Sequence, residues 1–138
     1  MTHLADPAPA NEPRRVLLAD ANPHVRAALG LLLARDKGLT IVDQVADAHG
    51  LVSRAVLTQP HLLVLEWELP GSLGAETVAA LRSICPGIEI VVLSVRPERR
   101  DEVLASGVGL FVSKSDPPAR LLAAIRSALS GLEMVPRR

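Results

Sequence analysis

The 138 residues include one cysteine, two lysines, one tryptophan, one phenylalanine and no tyrosine. Each scarcity removes a class of function. A single thiol, Cys85, cannot close an internal disulfide, and it falls near the apolar stripe of a helix, where a cysteine behaves as a small hydrophobe. With so few rings there is little to stack on a flavin or a nucleobase. The 15 basic residues are balanced by 15 acidic ones, so the chain lacks the basic stripe that displaces counterions from nucleic acid, and direct DNA contact by this chain is not expected. No apolar run approaches the roughly 20 residues that cross a bilayer, so no membrane span is expected. Residues 1–13 have neither a basic start nor an apolar run, so no secretory signal is visible and the cytoplasm is the expected compartment.

What is present is apolar and periodic. Hydrophobic residues make up 49% of the chain, enough for a sizeable core, and the length suits one domain. Residues 1–13, rich in Ala and Pro, and residues 133–138 read as tails around a domain spanning 14–132. Inside that span, apolar runs alternate with helical patterns, the signature of βαβ units and a parallel sheet. The runs are Val16 to Ala19, Ile41 to Val45, Leu62 to Leu65, Ile88 to Leu93 and Leu110 to Val112. The second, which carries Asp43 and Gln44, reads as an edge strand; the first, third and fourth are unbroken enough to be covered on both faces.

Five helices are expected between and after them. The first opens at Asn22-Pro23, a capping residue before a first-turn proline, and aligns Val25, Ala28, Leu29, Leu32 and Leu33 before Gly38. Ala48, Leu51, Val52, Ala55 and Val56 mark the second, and Thr77, Val78, Leu81, Ile84 and Cys85 the third. The fourth, Pro97 to Ser106, is short and polar, whereas the fifth carries Leu121, Leu122, Ile125, Ala128 and Leu129 up to Gly131. Right-handed crossovers with one reversal give a doubly wound α/β sheet of order 2-1-3-4-5 with helices on both faces.

In such sheets function gathers beyond the carboxyl ends of the strands. Asp20 follows the first strand, Glu66 the third, Ser94 the fourth and Lys114 the fifth. Each alone reads as a cap, a turn former or a surface charge. Together they form a candidate site. The loop ADANPH after the first strand has no glycine, so neither a dinucleotide fingerprint nor a P-loop is present. His3, His24, His49 and His61 show no ligand spacing.

The segments RVLLADANPHVR, LLVLEWELPG, VVLS and GVGLFVSKS are similar to those of response-regulator receiver domains of CheY-like type. The chain most resembles the receivers of NarL/LuxR-type regulators, which precede helix-turn-helix output domains. The resemblance covers about Arg15 to Gly131. It implies a flavodoxin-like fold and signal transduction rather than enzymatic catalysis. In that family an aspartate after the third strand takes a phosphoryl group from a histidine kinase, two acids after the first strand help bind Mg²⁺, and a hydroxyl, a lysine and an aromatic respond. Ser94, Lys114 and Phe111 match the responding positions.

Two departures fall on the chemistry. Ala21 stands where the second of two adjacent acids is expected, and Glu66 stands at the phosphoacceptor position. Losing a carboxylate removes both an oxygen ligand and a charge, so Mg²⁺ is expected to bind weakly if at all, through Asp20, Glu66 and Glu68, and no cofactor is expected. The extra methylene of glutamate displaces the nucleophilic oxygen by more than about 1 Å, a misplacement able to cost a hundredfold. The expectation is therefore an atypical receiver that regulates a protein partner or an output domain, or forms a weak homodimer through its first, fourth and fifth helices, without phosphorylation. Glu66 would either imitate part of the phosphate charge near Ser94 and Lys114 or simply pair with Lys114. The alternatives are a conventional phosphorelay receiver with a cognate histidine kinase and, in a different class, a small nucleotide- or flavin-binding protein.

Overall fold

The structure, a computed structural model, describes residues 12–71 and 73–134, with side chains as far as residue 130. Residues 1–11 and 135–138, most of both expected tails, lie outside the described residues. The elements alternate as the patterns require: β1 Arg14–Ala19, α1 Pro23–Leu33, β2 Leu39–Val45, α2 Ala48–Thr58, β3 Leu62–Glu66, α3 Ala75–Ile84, β4 Glu89–Ser94, a 3-10 turn Pro97–Arg99 running into α4 Arg100–Ala105, β5 Leu110–Ser113 and α5 Pro118–Met134. The five strands are parallel in the order β2-β1-β3-β4-β5, so the expected topology holds and β2 lies at an edge.

Alternation along each strand divides the core between the two faces of the sheet. Leu17, Leu63, Leu65, Ile90 and Val92 pack with Leu51, Val78, Leu81 and Val103 from α2, α3 and α4. Val16, Leu18, Val64, Val91 and Val112 pack with Leu33, Leu121 and Ile125 from α1 and α5. Each such Leu or Ile contributes about 1.5–3 kcal/mol by leaving water.

Caps behave as read at α1, where the Asn22 side chain accepts from the amides of His24 and Val25. Asp47 does the same for Gly50 at α2. Three expectations are corrected. α5 continues past Gly131 to Met134, because glycine lowers helix propensity without forbidding helix. Val56, placed on the α2 stripe, is 51% exposed, since the buried residues of that helix are Leu51 and Ala55. In α1 only Leu33 is buried, and Leu31 is 75% exposed, so this apolar helix is under-covered.

The loop between β3 and α3 is fixed by a close approach. Gly71 has φ +107°, and a Cβ there would lie 2.7 Å from the Cβ of Ala48, so only glycine fits. The Ala48 amide donates to the Pro70 carbonyl at 2.8 Å, which ties the loop that carries Glu68 to the start of α2.

Candidate functional site

Parallel strands ending at one edge bring four loops together, and the polar residues that follow each strand meet there. Asp20, directly after β1, is 1% exposed. Its Oδ1 accepts from the Asn22 amide at 2.9 Å, and its Oδ2 lies 2.7 Å from the Lys114 ammonium. Glu66, the last residue of β3, places Oε2 at 3.2 Å from the same ammonium and Oε1 at 3.0 Å from the Ala21 amide. Burial works against the Lys114 ammonium, yet the hydrogen bond and charge of Asp20, followed by the charge of Glu66, outweigh it and raise its pKa. The Arg26 guanidinium donates to the Asp20 carbonyl at 2.6 Å, which anchors α1 to the same rim.

Ser94 belongs to a second group. The end of β4 is buried and Ser94 is 0% exposed. Its hydroxyl donates to Glu68 Oε2 at 2.6 Å, while Glu68 Oε1 accepts from the Val95 amide at 3.3 Å. Arg99 lies 3.7 Å from the same carboxylate and donates to both oxygens of Glu102, at 3.2 and 3.3 Å. The Trp67 indole N–H completes the chain by donating to Glu102 Oε2 at 3.0 Å. The indole bond first, and then Arg99, hold the Glu102 carboxyl below its ordinary pKa. Trp67 and Glu68 thus tie the loop after β3 to the 3-10 turn and α4.

Of the four residues expected to converge, Asp20, Glu66 and Lys114 do so through their side chains. Ser94 reaches Lys114 only through the backbone, its carbonyl accepting from the Lys114 amide at 2.8 Å. Its hydroxyl is held by Glu68 rather than by Glu66. Glu68 was expected only as a weak metal ligand, and Arg99, Glu102 and the Val95 amide were not anticipated. One signal was in the sequence: Glu66 and Glu68 are two apart in EWELPG, a spacing that can set two carboxylates on one rim. Phe111, at the expected switch position, is buried on β5 among the α2–α4 core.

The donor set does not fit a hard divalent ion. Asp20 and Glu66 spend their oxygens on Lys114 and backbone amides, and Glu68 turns away to Ser94. Among the described residues no group of three or more His, Cys, Asp or Glu stands close enough to hold a metal. At the opposite end of the sheet, His61 Nδ1 accepts from the Arg15 amide at 2.9 Å; burial, then the charges of Arg15 and Arg14, push its pKa to about 4, so it stays neutral.

The fold and this rim define a class: the chain belongs to the response regulator receiver domain family, whose model matches residues 16–126. Response regulators are signalling proteins. Among curated relatives, the chain is 32% identical over 126 residues to the nitrate/nitrite response regulator protein NarL of Escherichia coli K12, covering 90% of this chain and 58% of that protein. It is 28% identical over 119 residues to the uncharacterized transcriptional regulatory protein YxjL of Bacillus subtilis, covering 85% and 55%. The chain thus spans somewhat over half the length of these relatives. Among solved structures it is similar to a LuxR-family two-component response regulator from Aurantimonas sp. SI85-9A1, with TM-score 0.79 and 28% identity over 87% of both chains. The receiver domain of the putative response regulator NarL from Mycobacterium tuberculosis has the same fold, with TM-score 0.78 and 22% identity over 87% and 98%. Among the described residues no helix is long and apolar enough to cross a membrane.

Proposed function

We propose that this chain is an atypical receiver that regulates a protein partner or output domain in the cytoplasm without taking up a phosphoryl group and without needing Mg²⁺. One observation carries the reading: the groups that answer a phosphate in this family are already held by the chain's own carboxylates. Lys114 is held by Asp20 and Glu66, and the Ser94 hydroxyl by Glu68, which also accepts from the Val95 amide. A carboxylate at each position supplies part of the −1.5 to −2 charge of a phosphate permanently. An incoming phosphoryl dianion would meet these acids with its cationic and hydroxyl partners engaged, and its nucleophile would be a displaced Glu66.

The partner-binding elements in this reading are α4, β5 and α5, because Glu68 and Trp67 reach Arg99 and Glu102 at the start of α4. Incubation with a small-molecule phosphodonor and Mg²⁺, read by intact mass, tests it. The parent chain is expected to keep its mass, whereas a variant combining Ala21→Asp, Glu66→Asp and Glu68→Gln gains one phosphoryl group. Phosphorylation of the parent would establish instead the conventional phosphorelay receiver, served by a histidine kinase.

A further inference from the structure

The cleft between α1 and α5 borders the rim at Lys114 and runs away from it down the two helices. It has a volume of about 570 Å³, within the range of about 300–1,000 Å³ in which small ligands bind. Leu29 and Leu32 of α1 and Leu121 of α5 line it over Leu93 and Val112 of the sheet, so its surface is mainly apolar. It stays open because the residues on its two sides are short: Ala28 on α1, and Pro117 and Pro118 where α5 begins. Leu31, on its margin, is 75% exposed, an apolar side chain that the fold itself leaves in water.

Of the three charged side chains that line the cleft, only one has no partner. Lys114 is held by Asp20 and Glu66. Asp116 accepts from the Ser113 amide at 3.2 Å, at the end of the cleft where the strands finish. Arg35 stands at the other end, just past the C-cap of α1, and among the described residues its guanidinium has neither a hydrogen-bond nor an ion-pair partner. The neighbouring Asp36 is taken by Arg126 at 3.5 Å and by the Gly38 amide at 2.8 Å. The carbonyl end of α1 offsets Arg35 by a partial charge only, and Lys37, exposed two residues on, adds a second cation.

The structure assigns this cleft to a small amphipathic carboxylate, its apolar chain lying along Leu29, Leu32 and Leu121 and its head group on Arg35. A guanidinium takes a carboxylate through two parallel N–H donors, which sets the direction of the ligand in the cleft. The Asp116 carboxylate at the far end repels the same head group and so disfavours the reverse orientation. A whole helix, about 10–12 Å across with its side chains, is too wide to enter, so neither a partner's helix nor α1 of a second copy fits inside. The assignment does not depend on how the rim treats phosphate.

The test titrates the whole chain with decanoate, hexanoate and decylammonium, each below its micelle concentration, and follows the methyl resonances of Leu29, Leu32 and Leu121. Decanoate is expected to shift them saturably at or below the millimolar range, and affinity should fall about threefold for each methylene removed on the way to hexanoate. Decylammonium should bind about fivefold more weakly than decanoate, and Arg35→Glu, at an exposed position, should reverse that order. Ala28→Phe, which fills the cleft from an exposed position of α1, should abolish the shifts with every ligand while circular dichroism keeps its native form. If that variant fails to fold, the charge reversal at Arg35 decides alone. A titration without saturation, equal binding of decanoate and decylammonium, or a preference that survives Arg35→Glu would overturn the assignment. So would methyl shifts that appear only as sedimentation shows chains associating, because a second copy would then be covering the cleft. Uptake of a phosphoryl group by the parent chain would sink the proposed function and leave this result standing.

Discussion

Glu66 and Glu68 lie two residues apart and do opposite work. Glu66 ends a strand, so the sheet aims its carboxylate at Lys114 and at the Ala21 amide, where it closes a partly buried ion triad with Asp20. Glu68 lies in the loop, and its side chain crosses to Ser94, Val95 and Arg99. The first is a structural tie between β1, β3 and β5. The second ties β3 to the segment that leads into α4. Charge is thus compensated on one side by another charge and on the other by hydroxyl, amide and a half-exposed guanidinium. The difference is one of reach: the carboxylate of Glu66 meets Lys114 but not Ser94, and that of Glu68 meets Ser94 but not Lys114.

The sharpest way to break this comparison is to remove the cation on the Glu66 side. Lys114→Met leaves Asp20 buried without its partner, and breaking such a pair should cost about 3 kcal/mol of unfolding free energy, read by urea denaturation. Asp20→Asn in the same chain should recover part of it, which distinguishes an unpaired charge from a packing defect. The pH dependence has a definite sign. Because the pKa of Lys114 is raised in the folded chain, the stabilisation is whole below the ordinary value of 10.5 and is lost as pH climbs through the higher folded value. A parent whose stability stays flat across that alkaline window would remove the triad from the account.

A smaller effect separates the two glutamates directly. Glu68→Gln keeps a shape that can still bond Ser94 but discards the charge, and the difference between charged and neutral hydrogen bonds is about 1 kcal/mol, or roughly fivefold in local opening. Amide exchange in α4 should accelerate by that factor, while Glu66→Gln leaves α4 unchanged. Equal acceleration by both, or acceleration by Glu66→Gln alone, would return the coupling to the phosphoacceptor position. A further, weaker readout is chemical. In the variant carrying Ala21→Asp and Glu66→Asp, adding Glu68→Gln should speed phosphoryl uptake about threefold, because it frees Ser94 and Val95 and removes a like charge from the path of a dianion.

The sheet was legible because apolar runs and helical stripes are dictated by burial, and every strand and helix falls where its pattern places it to within a few residues. The rim was legible at Asp20, Glu66 and Lys114, since strand ends in a parallel sheet converge whatever their neighbours do. What the sequence hid was rotamer choice. Nothing in EWELPG says that the second glutamate, not the first, will reach the serine, because the path of that loop depends on contacts far apart in sequence, Gly71 against Ala48 among them. The Trp67–Glu102–Arg99 chain was hidden for the same reason, because its partners are 35 residues apart. The openness of α1 was missed because periodicity reports which residues could be buried, not how much of a neighbouring helix is there to bury them.

The smallest expected effect is an absence of response, and it bears on the same pair of acids. Trp67 is the only tryptophan, stands between Glu66 and Glu68, and is 4% exposed, with its indole N–H bound to Glu102. Any ion that drew Glu66 from Lys114 or Glu68 from Ser94 would move the backbone that carries the ring, so its fluorescence reads the site directly. Mg²⁺ needs near-octahedral oxygens and sheds its water reluctantly, and here each carboxylate would first have to leave an ammonium, an amide or a hydroxyl. No saturable change is therefore expected below ~10 mM Mg²⁺ at neutral pH, a bound set by the missing carboxylate at Ala21. Ala21→Asp alone should lower that concentration, since it adds a ligand without disturbing Lys114. A saturating curve from the parent at low millimolar Mg²⁺ would mean that the acids let go of their partners easily, and the contrast between a fixed Glu66 and a coupling Glu68 would lose its footing.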